Sequence, residues 1–520
     1  MQTDVLIIGS GGAGLTSALH AHKNGAKVTI ITKEYPTRAQ TSMAQGGINA
    51  VLDTTNDSIQ SHIQNTLKSA HGIADKKAID FLCTEAPKAV QWLDSIGVCF
   101  SRTKNSTIAQ RTLGGASAPR ACYAQDYTGL KILHTLYDKV LQTDIEILNE
   151  RYLLEILTDN NSVIGAKILN IRTGEIESYS AKSIVIATGG YSRIYNNHST
   201  NSTASTGDGI AVALKAGARV SDIEFIQFHP TALKNSSILI SESARGAGGY
   251  LLNSQGERFT DELLPRDEVA RAIHREITKG EEVFLDIRHL GEQFIDENLP
   301  QERKLAKLYE NIDPVNQLIP IKPVAHYTMG GIEVDNNSQT QIKGLFAVGE
   351  CANHRVHGAN RLGGNSLLEL IVFGKQTGEN SAQYAKNITH QKDIEPTQEI
   401  PKINTTPTID FYTIREELGE LFYKNVSILR EKKTLQLTLQ KVESFIKNIP
   451  NIGITDNAQV YNTNRVEFLE FTNTLTLSRL VLIGAIAREE SRGAHFRVDA
   501  PEEKESFAQH TIIDKEGVVQ

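Results

Sequence analysis

The chain has 520 residues, 40% hydrophobic and 22% charged, a globular composition with room for two to four domains of about 100–200 residues each. With 54 basic and 61 acidic side chains the net charge is −7, so no basic field invites nucleic acid or an anionic lipid surface. The longest apolar runs, such as 5–8 and 480–487, fall short of the ~20 residues that span a bilayer, and the few residues before the first strand predict no signal peptide. Four cysteines (Cys83, Cys99, Cys122, Cys351) are scattered singly, in neither a disulfide framework nor a zinc or iron–sulfur ligand set. These features predict a cytoplasmic protein that brings no metal of its own and has no direct membrane span.

In chain order, residues 4–8 form an apolar run suited to a strand buried on both faces, followed by Gly9-Ser10-Gly11-Gly12-Ala13-Gly14 and a helical stretch over 15–24. Gly25 stops that helix, and 27–31 is a second strand, which completes a βαβ unit. Two further glycine-terminated strands, 183–187 and 344–348, are of the same type. One nucleotide-binding domain assembled from two or three chain segments accounts for them, with another domain inserted at roughly 225–340. The polar, proline-dotted stretch 390–410 reads as a linker. After it, 412–449 and 464–489 carry helical periodicity, and the charged end beyond Pro501 reads as a loosely attached tail.

Gly9-x-Gly11-x-x-Gly14 between strand and helix is a dinucleotide fingerprint. Gly9 permits the tight turn, Gly11 lets a pyrophosphate approach the backbone, Gly14 lets helix and strand pack, and the helix N-terminus offers amides to phosphate. The acid common at the end of the second strand is displaced, since the strand ends Thr32-Lys33-Glu34. Gly-Gly pairs at 46–47, 114–115, 189–190 and 330–331 suggest backbone lying close to a large flat cofactor such as FAD. Five loop-like segments concentrate His, Arg, Ser and Glu around His229, Ser241 to Arg245, Arg266, His326 and His357 to Arg361. Guanidinium and imidazole together suit a small dicarboxylate.

These segments resemble the flavoprotein subunits of succinate dehydrogenase and fumarate reductase, and the related L-aspartate oxidases. The likeness runs from Asp4 to about Phe496 and includes Ala44-Gln45-Gly46-Gly47-Ile48, Gln227-Phe228-His229-Pro230-Thr231, His326-Tyr327-x-Met329-Gly330-Gly331, His357-Gly358-Ala359-Asn360-Arg361 and Glu490-Ser491-Arg492-Gly493-Ala494-His495. It implies an α/β protein. A Rossmann-like FAD-binding domain would span 1–224 and 341–390, an inserted α+β capping domain 225–340, a C-terminal helical domain 408–500 and a tail 501–520. FAD would contact Gly9, Gly11, Gly12, Ala13, Gly14, Thr32, Lys33, Ser42, Gly46, Gly47, Gly190, Asp208, Glu350, Ser366 and Leu367. His229, Ser241 (usually Thr in the family), Glu242, His326 and Arg361 would hold the dicarboxylate. Arg266 would pass a proton to or from the substrate as flavin N5 exchanges a hydride, with Glu242 and Arg245 as its relay.

Departures from the family pattern sharpen these expectations. Gln40 stands where succinate dehydrogenases usually carry the histidine that links FAD, which predicts non-covalent FAD and a bias towards fumarate reduction. Aspartate oxidases lack that histidine too, but usually carry a glutamate at the position of Leu113 to face the substrate ammonium. Leu113 offers none, so succinate–fumarate interconversion is the first expectation and L-aspartate oxidase the alternative. Ala247 replaces a usual glutamate, and the short C-terminus is closer in length to aspartate oxidases. The resemblance also implies an iron–sulfur subunit and a membrane-associated subunit as partners, which would place the chain at the inner face of the cell membrane.

Overall fold

Alternation along the first strand decides how the large sheet is covered. In the computed structural model, which describes residues 2–389, 394 and 402–520, β1 (Gln2–Ile8) leads through the glycine loop into α1 (Gly12–Lys23) and β2 (Val28–Thr32). Val5 and Ile7 face one side with Val28 and Ile30. They pack there against α1, α3 (Lys76–Ser95), α4 (Thr128–Leu141) and α10 (Asn365–Lys386). Leu6, Ile8 and Ile31 face the other side, with α5 (Asp208–Lys215) and the C-terminal helices. Period-two alternation thus feeds two cores, and each fully buried branched side chain contributes about 1.5–3 kcal/mol.

The sheet has seven strands. With β3 (Glu146–Asn149), β4 (Arg151–Asp159), β5 (Ser162–Asn170), β6 (Ile176–Ile186) and a late strand (Leu345–Ala347), the order is β3-β2-β1-β6-β5-β4, the late strand pairing β6. β6 is long enough to serve two partners on one edge. Its first half runs antiparallel to β5, and Ile184 to Ile186 run parallel to the late strand. Three separate chain stretches therefore build one parallel centre, with an antiparallel meander on its flank.

The inserted region carries its own antiparallel sheet of Ile226–Leu233, Tyr250–Leu252, Val283–Asp286 and Ile319–Thr328, the first pairing the last. Four helices accompany it: α6 (Glu242–Gly246), α7 (Arg266–Thr278), α8 (Glu292–Asn298) and α9 (Pro300–Glu310). Leu233, Ile240, Leu251, Val269, Ile273 and Leu285 make a separate apolar core under this sheet.

The helical end refines its sequence reading in three ways. The stretch 412–449, read only as carrying helical periodicity, is two helices, α11 (Phe411–Asn425) and α12 (Lys432–Asn448). Between them Arg430 turns inward to bond Ser427 O, Glu224 O and His495 Nδ1, which a continuing helix would prevent. The apolar run at 480–487 is the end of α13 (Thr463–Ala487), which by length and composition is long enough to cross a membrane; 61% of its most apolar window is buried inside the protein. The segment beyond Pro501 is not loose. Arg488, 2% exposed, bonds Phe507 O, Gln509 O and Thr511 Oγ1, and Ile512–Ile513 pairs with Val220–Ser221. Most of the stretch read as a linker lies outside the described residues.

Candidate active site

At the carboxyl ends of β1, β2 and β6 a long cavity of about 1630 Å³, its open mouth included, runs from the glycine loop to the inserted sheet. This is where an open α/β sheet leaves room for a ligand. Gly9 has φ +111°, and a Cβ on Gly14 would lie 2.1 Å from the Gly9 carbonyl oxygen, so strand, turn and helix meet at a distance only glycine allows. Of the residues expected at the cofactor, all line the cavity except Gly14, Ser42 and Gly190. Ser42 Oγ instead donates to Ala39 O. Gly190 makes room beside its backbone for Glu350 Oε1, which accepts the Thr328 amide.

Lys33 is more constrained than a simple cofactor contact. Its Nζ lies 2.7 Å from Asp208 Oδ2 and 2.6 Å from Glu470 Oε1 on α13, so the cavity wall is tied to the C-terminal helix. The two carboxylates hold the ammonium above its ordinary range despite burial, and Lys33 keeps Asp208 below its own. Glu350 is pushed up to about 7 by burial. Gln40 Oε1 accepts the Ser202 amide at 2.6 Å at the cavity wall. The Gly330-Gly331 pair does not line the cavity; it packs against the backbone of Asp222 and Cys351.

The inner end of the cavity gathers the polar residues of the inserted region. Arg266, the first residue of α7, donates from Nη2 and Nε to Glu242 Oε2 at 2.7 and 3.1 Å. Its Nη1 donates to Gln227 Oε1, which also receives Arg361 Nη2 at 3.0 Å. Glu242 opens α6 and accepts the Gly114 amide at 2.9 Å; Arg245 stands behind it, 3.6 Å away. Arg266 and Arg245 hold the Glu242 carboxyl below its ordinary range although burial opposes this. His229 and His326 lie with ring centroids 4.9 Å apart. Burial first, then neighbouring arginines, drive both far below the usual imidazole range. Both are therefore neutral at pH 7. His229 Nδ1 lies 3.2 Å from the Thr231 amide and 3.3 Å from the Thr231 carbonyl oxygen, so its Nε2 edge is left free of Thr231. Arg361 sits 4.3 Å over the Tyr327 ring and is lowered to about 10 by burial, so it keeps its charge.

Residues 4–367 match the FAD binding domain family, and 415–519 match the fumarate reductase flavoprotein C-terminal family. The 8-methylmenaquinol:fumarate reductase flavoprotein subunit of Wolinella succinogenes is 40% identical over 98% of this chain and 88% of its own. This chain belongs to the fumarate reductase and succinate dehydrogenase flavoprotein family. The succinate dehydrogenase flavoprotein subunit of Rickettsia bellii is 35% identical over 99% of this chain and 94% of its own. A solved quinol fumarate reductase of Escherichia coli, 36% identical, superposes with a TM-score of 0.95 over 100% of this chain and 96% of that one. Nothing in these likenesses favours an L-aspartate oxidase.

The flavoprotein's cavity fits FAD by its own chemistry. The glycine loop and the start of α1 form one wall, and Gln45 Oε1, Thr188 Oγ1 and Arg361 Nε are buried atoms of cavity-lining residues with no partner among the described residues. Every residue expected to hold the dicarboxylate lines the same cavity, and only Arg245 stands outside it. Leu113, 2% exposed, lines it too. Sequence reasoning missed Gln227, whose amide joins Arg266 to Arg361, and Gly114, whose amide fixes Glu242. Gln227's place two residues before His229 was the available signal; nothing in the sequence marked the Gly114 amide as a donor to a residue 128 positions away.

Proposed function

We propose that this flavoprotein interconverts fumarate and succinate, with fumarate reduction favoured and FAD held non-covalently. The observation that carries this reading is the buried Glu242–Arg266 pair, set among two neutral histidines and Arg361 at the inner end of the cofactor cavity. Arg361 grips one carboxylate, while His229 Nε2 and the Ser241 and His326 side chains hold the other end of the dicarboxylate. The chemistry that FAD supplies when bound is hydride exchange with one alkene carbon through N5. Arg266 gives its proton to the adjacent carbon, and the ionised Glu242, 2.7 Å from Arg266 and 3.6 Å from Arg245, takes a proton from Arg245 and hands it to Arg266. Arg245 is reprotonated from solvent. An arginine can act this way only because an ionised carboxyl already shares its proton. In succinate oxidation the same residues move the proton outward.

Gln40 cannot form the link that a histidine makes to FAD, and its Oε1 is engaged with Ser202. The likeness to subunits of quinol-linked fumarate reductases supports the same partners here, an iron–sulfur subunit and a membrane-associated subunit, with attachment to the inner face of the membrane through them.

With reduced viologen as donor, purified FAD-loaded protein should consume fumarate. Peroxide and iminoaspartate formed instead from L-aspartate and oxygen would overturn the reading. After acid precipitation the yellow colour should stay in the supernatant; colour in the pellet would contradict non-covalent binding.

A further inference from the structure

Two side chains that do not line the cavity tie together the segments that carry its arginines. Asp267 follows Arg266 in the first turn of α7, in the inserted region, and Asn360 precedes Arg361 in the loop before α10, on the FAD-binding side. Asn360 Nδ2 donates to Asp267 Oδ1 at 2.8 Å, and both residues are buried. Asn360 Oδ1 accepts Gln227 Nε2 at 2.7 Å, and the same Nε2 donates to Arg361 O at 2.9 Å. Asp267 Oδ2 accepts Arg271 Nη2 at 2.7 Å, one turn along α7. Every polar atom of the two side chains is engaged, so removing any one partner leaves a buried group bare.

The network continues into the Glu490 to His495 motif, which lies outside the cavity. Arg271 Nη1 donates to Gly493 O at 2.9 Å, and its guanidinium lies 5.3 Å from the centre of the Phe496 ring. The Ala494 amide donates to Ala359 O at 2.9 Å, next to Asn360, whose own carbonyl oxygen accepts Ser69 Oγ at 3.0 Å. Gly493 and Ala494 are therefore bonded to α7 on one side and to the loop carrying Arg361 on the other.

Arg266 and Arg361 are thus related twice. Gln227 Oε1 accepts from both guanidinium groups, which are the donors a bound dicarboxylate would also claim. One residue further along each segment, the Asp267–Asn360 bond is made by side chains outside the cavity, so it persists when the arginines turn to a ligand. We propose that the Asp267–Asn360 bond, braced by Arg271 on Gly493, is a positioning clasp that sets the spacing between the proton-donating Arg266 and the carboxylate-binding Arg361. The inference rests on the substrate reading above for what the two arginines do, and on these bonds for what holds them. A reacting group displaced by ~1 Å costs on the order of 10²-fold in rate, so the clasp acts on turnover more than on binding.

Exchanging the two side chains isolates the bond. Asn360→Asp sets two carboxylates against each other, and Asp267→Asn turns an amide N–H2 against the Asn360 or the Arg271 donor. Combined, they restore every bond with the roles reversed. The amide at position 267 donates across to position 360 and accepts Arg271, while the carboxylate at 360 still accepts Gln227. In FAD-loaded protein with reduced viologen, each single variant should lose on the order of 10²-fold in fumarate kcat per bound flavin. Malonate affinity, read from the flavin absorbance band, should change only several-fold. The double variant should recover most of the turnover, a coupling that two independent defects do not show. Hydrogen exchange at amides 268–271 should quicken in the single variants and return to the wild-type rate in the double variant.

Single variants with near-normal kcat per flavin, unchanged exchange in them, or a double variant as slow as either single overturns the proposal. If the single variants fail to fold, a folded and active double variant supports the clasp, and its failure overturns it. Should the wild type neither reduce fumarate nor bind malonate, the substrate reading fails, and the exchange comparison alone decides whether the clasp holds the two segments.

Discussion

Arg266 carries more of the site than any other side chain, because its three donor nitrogens serve two purposes. Two of them hold Glu242 and the third, through Gln227, is coupled to Arg361. Arg266→Ala should lower fumarate turnover by about 10²–10⁴-fold, the range for a lost general acid, while malonate affinity changes much less. Near-normal turnover would remove Arg266 from the relay. Arg266→Lys should rescue little, since an ammonium cannot span the Glu242 and Gln227 oxygens together. At this scale the sequence was informative about residues that touch ligand, because Arg, His and Glu on Gly/Pro-rich loops announce their chemistry. It was silent about residues that hold those in place. Gln227 and Gly114 act through an amide oxygen and a backbone N–H, and neither group has a compositional mark.

Helix α2 (Ile59–Ser69) shows how a polar residue can dock an element. His62 is fully buried, and its Nε2 lies 3.0 Å from Asn365 Oδ1 at the start of α10. Burial lowers His62 to about 4 against the Asn365 bond, which favours the charged form. The unfolded chain therefore binds a proton near pH 6.5 that the fold excludes. Stability should fall as pH drops from 6.5 towards 4. Between pH 7 and 5, denaturant unfolding of His62→Gln should lose about 2 kcal/mol less than the wild type, following 1.36 kcal/mol per pKa unit. Equal losses would show that His62 titrates normally. Element boundaries read well where glycine or apolar runs set them, as in β1, α1 and β2. They read poorly where a buried polar contact decides, as at Arg430 between α11 and α12, because the partners Glu224 and His495 are remote in sequence.

Across the whole molecule, the glycine-terminated strands were legible because each repeats a local signal. The fate of the C-terminal segment was not, since its charge suggested solvent while Arg488, Asp222 and Glu224 supply buried partners for it. That segment has a consequence for the order in which the protein is completed. Val220–Ser221 lies between Gly331–Glu333 and Ile512–Ile513, and its pairing with the latter joins residues nearly three hundred positions apart. During synthesis the first of these edges can form once residue 333 has emerged, but the second must wait for residue 513. So wide a loop closure comes late and slowly. The edge of Val220–Ser221 that Ile512–Ile513 covers is thus closed only after residue 513 has been made, and a polypeptide stopped before it would leave that edge open.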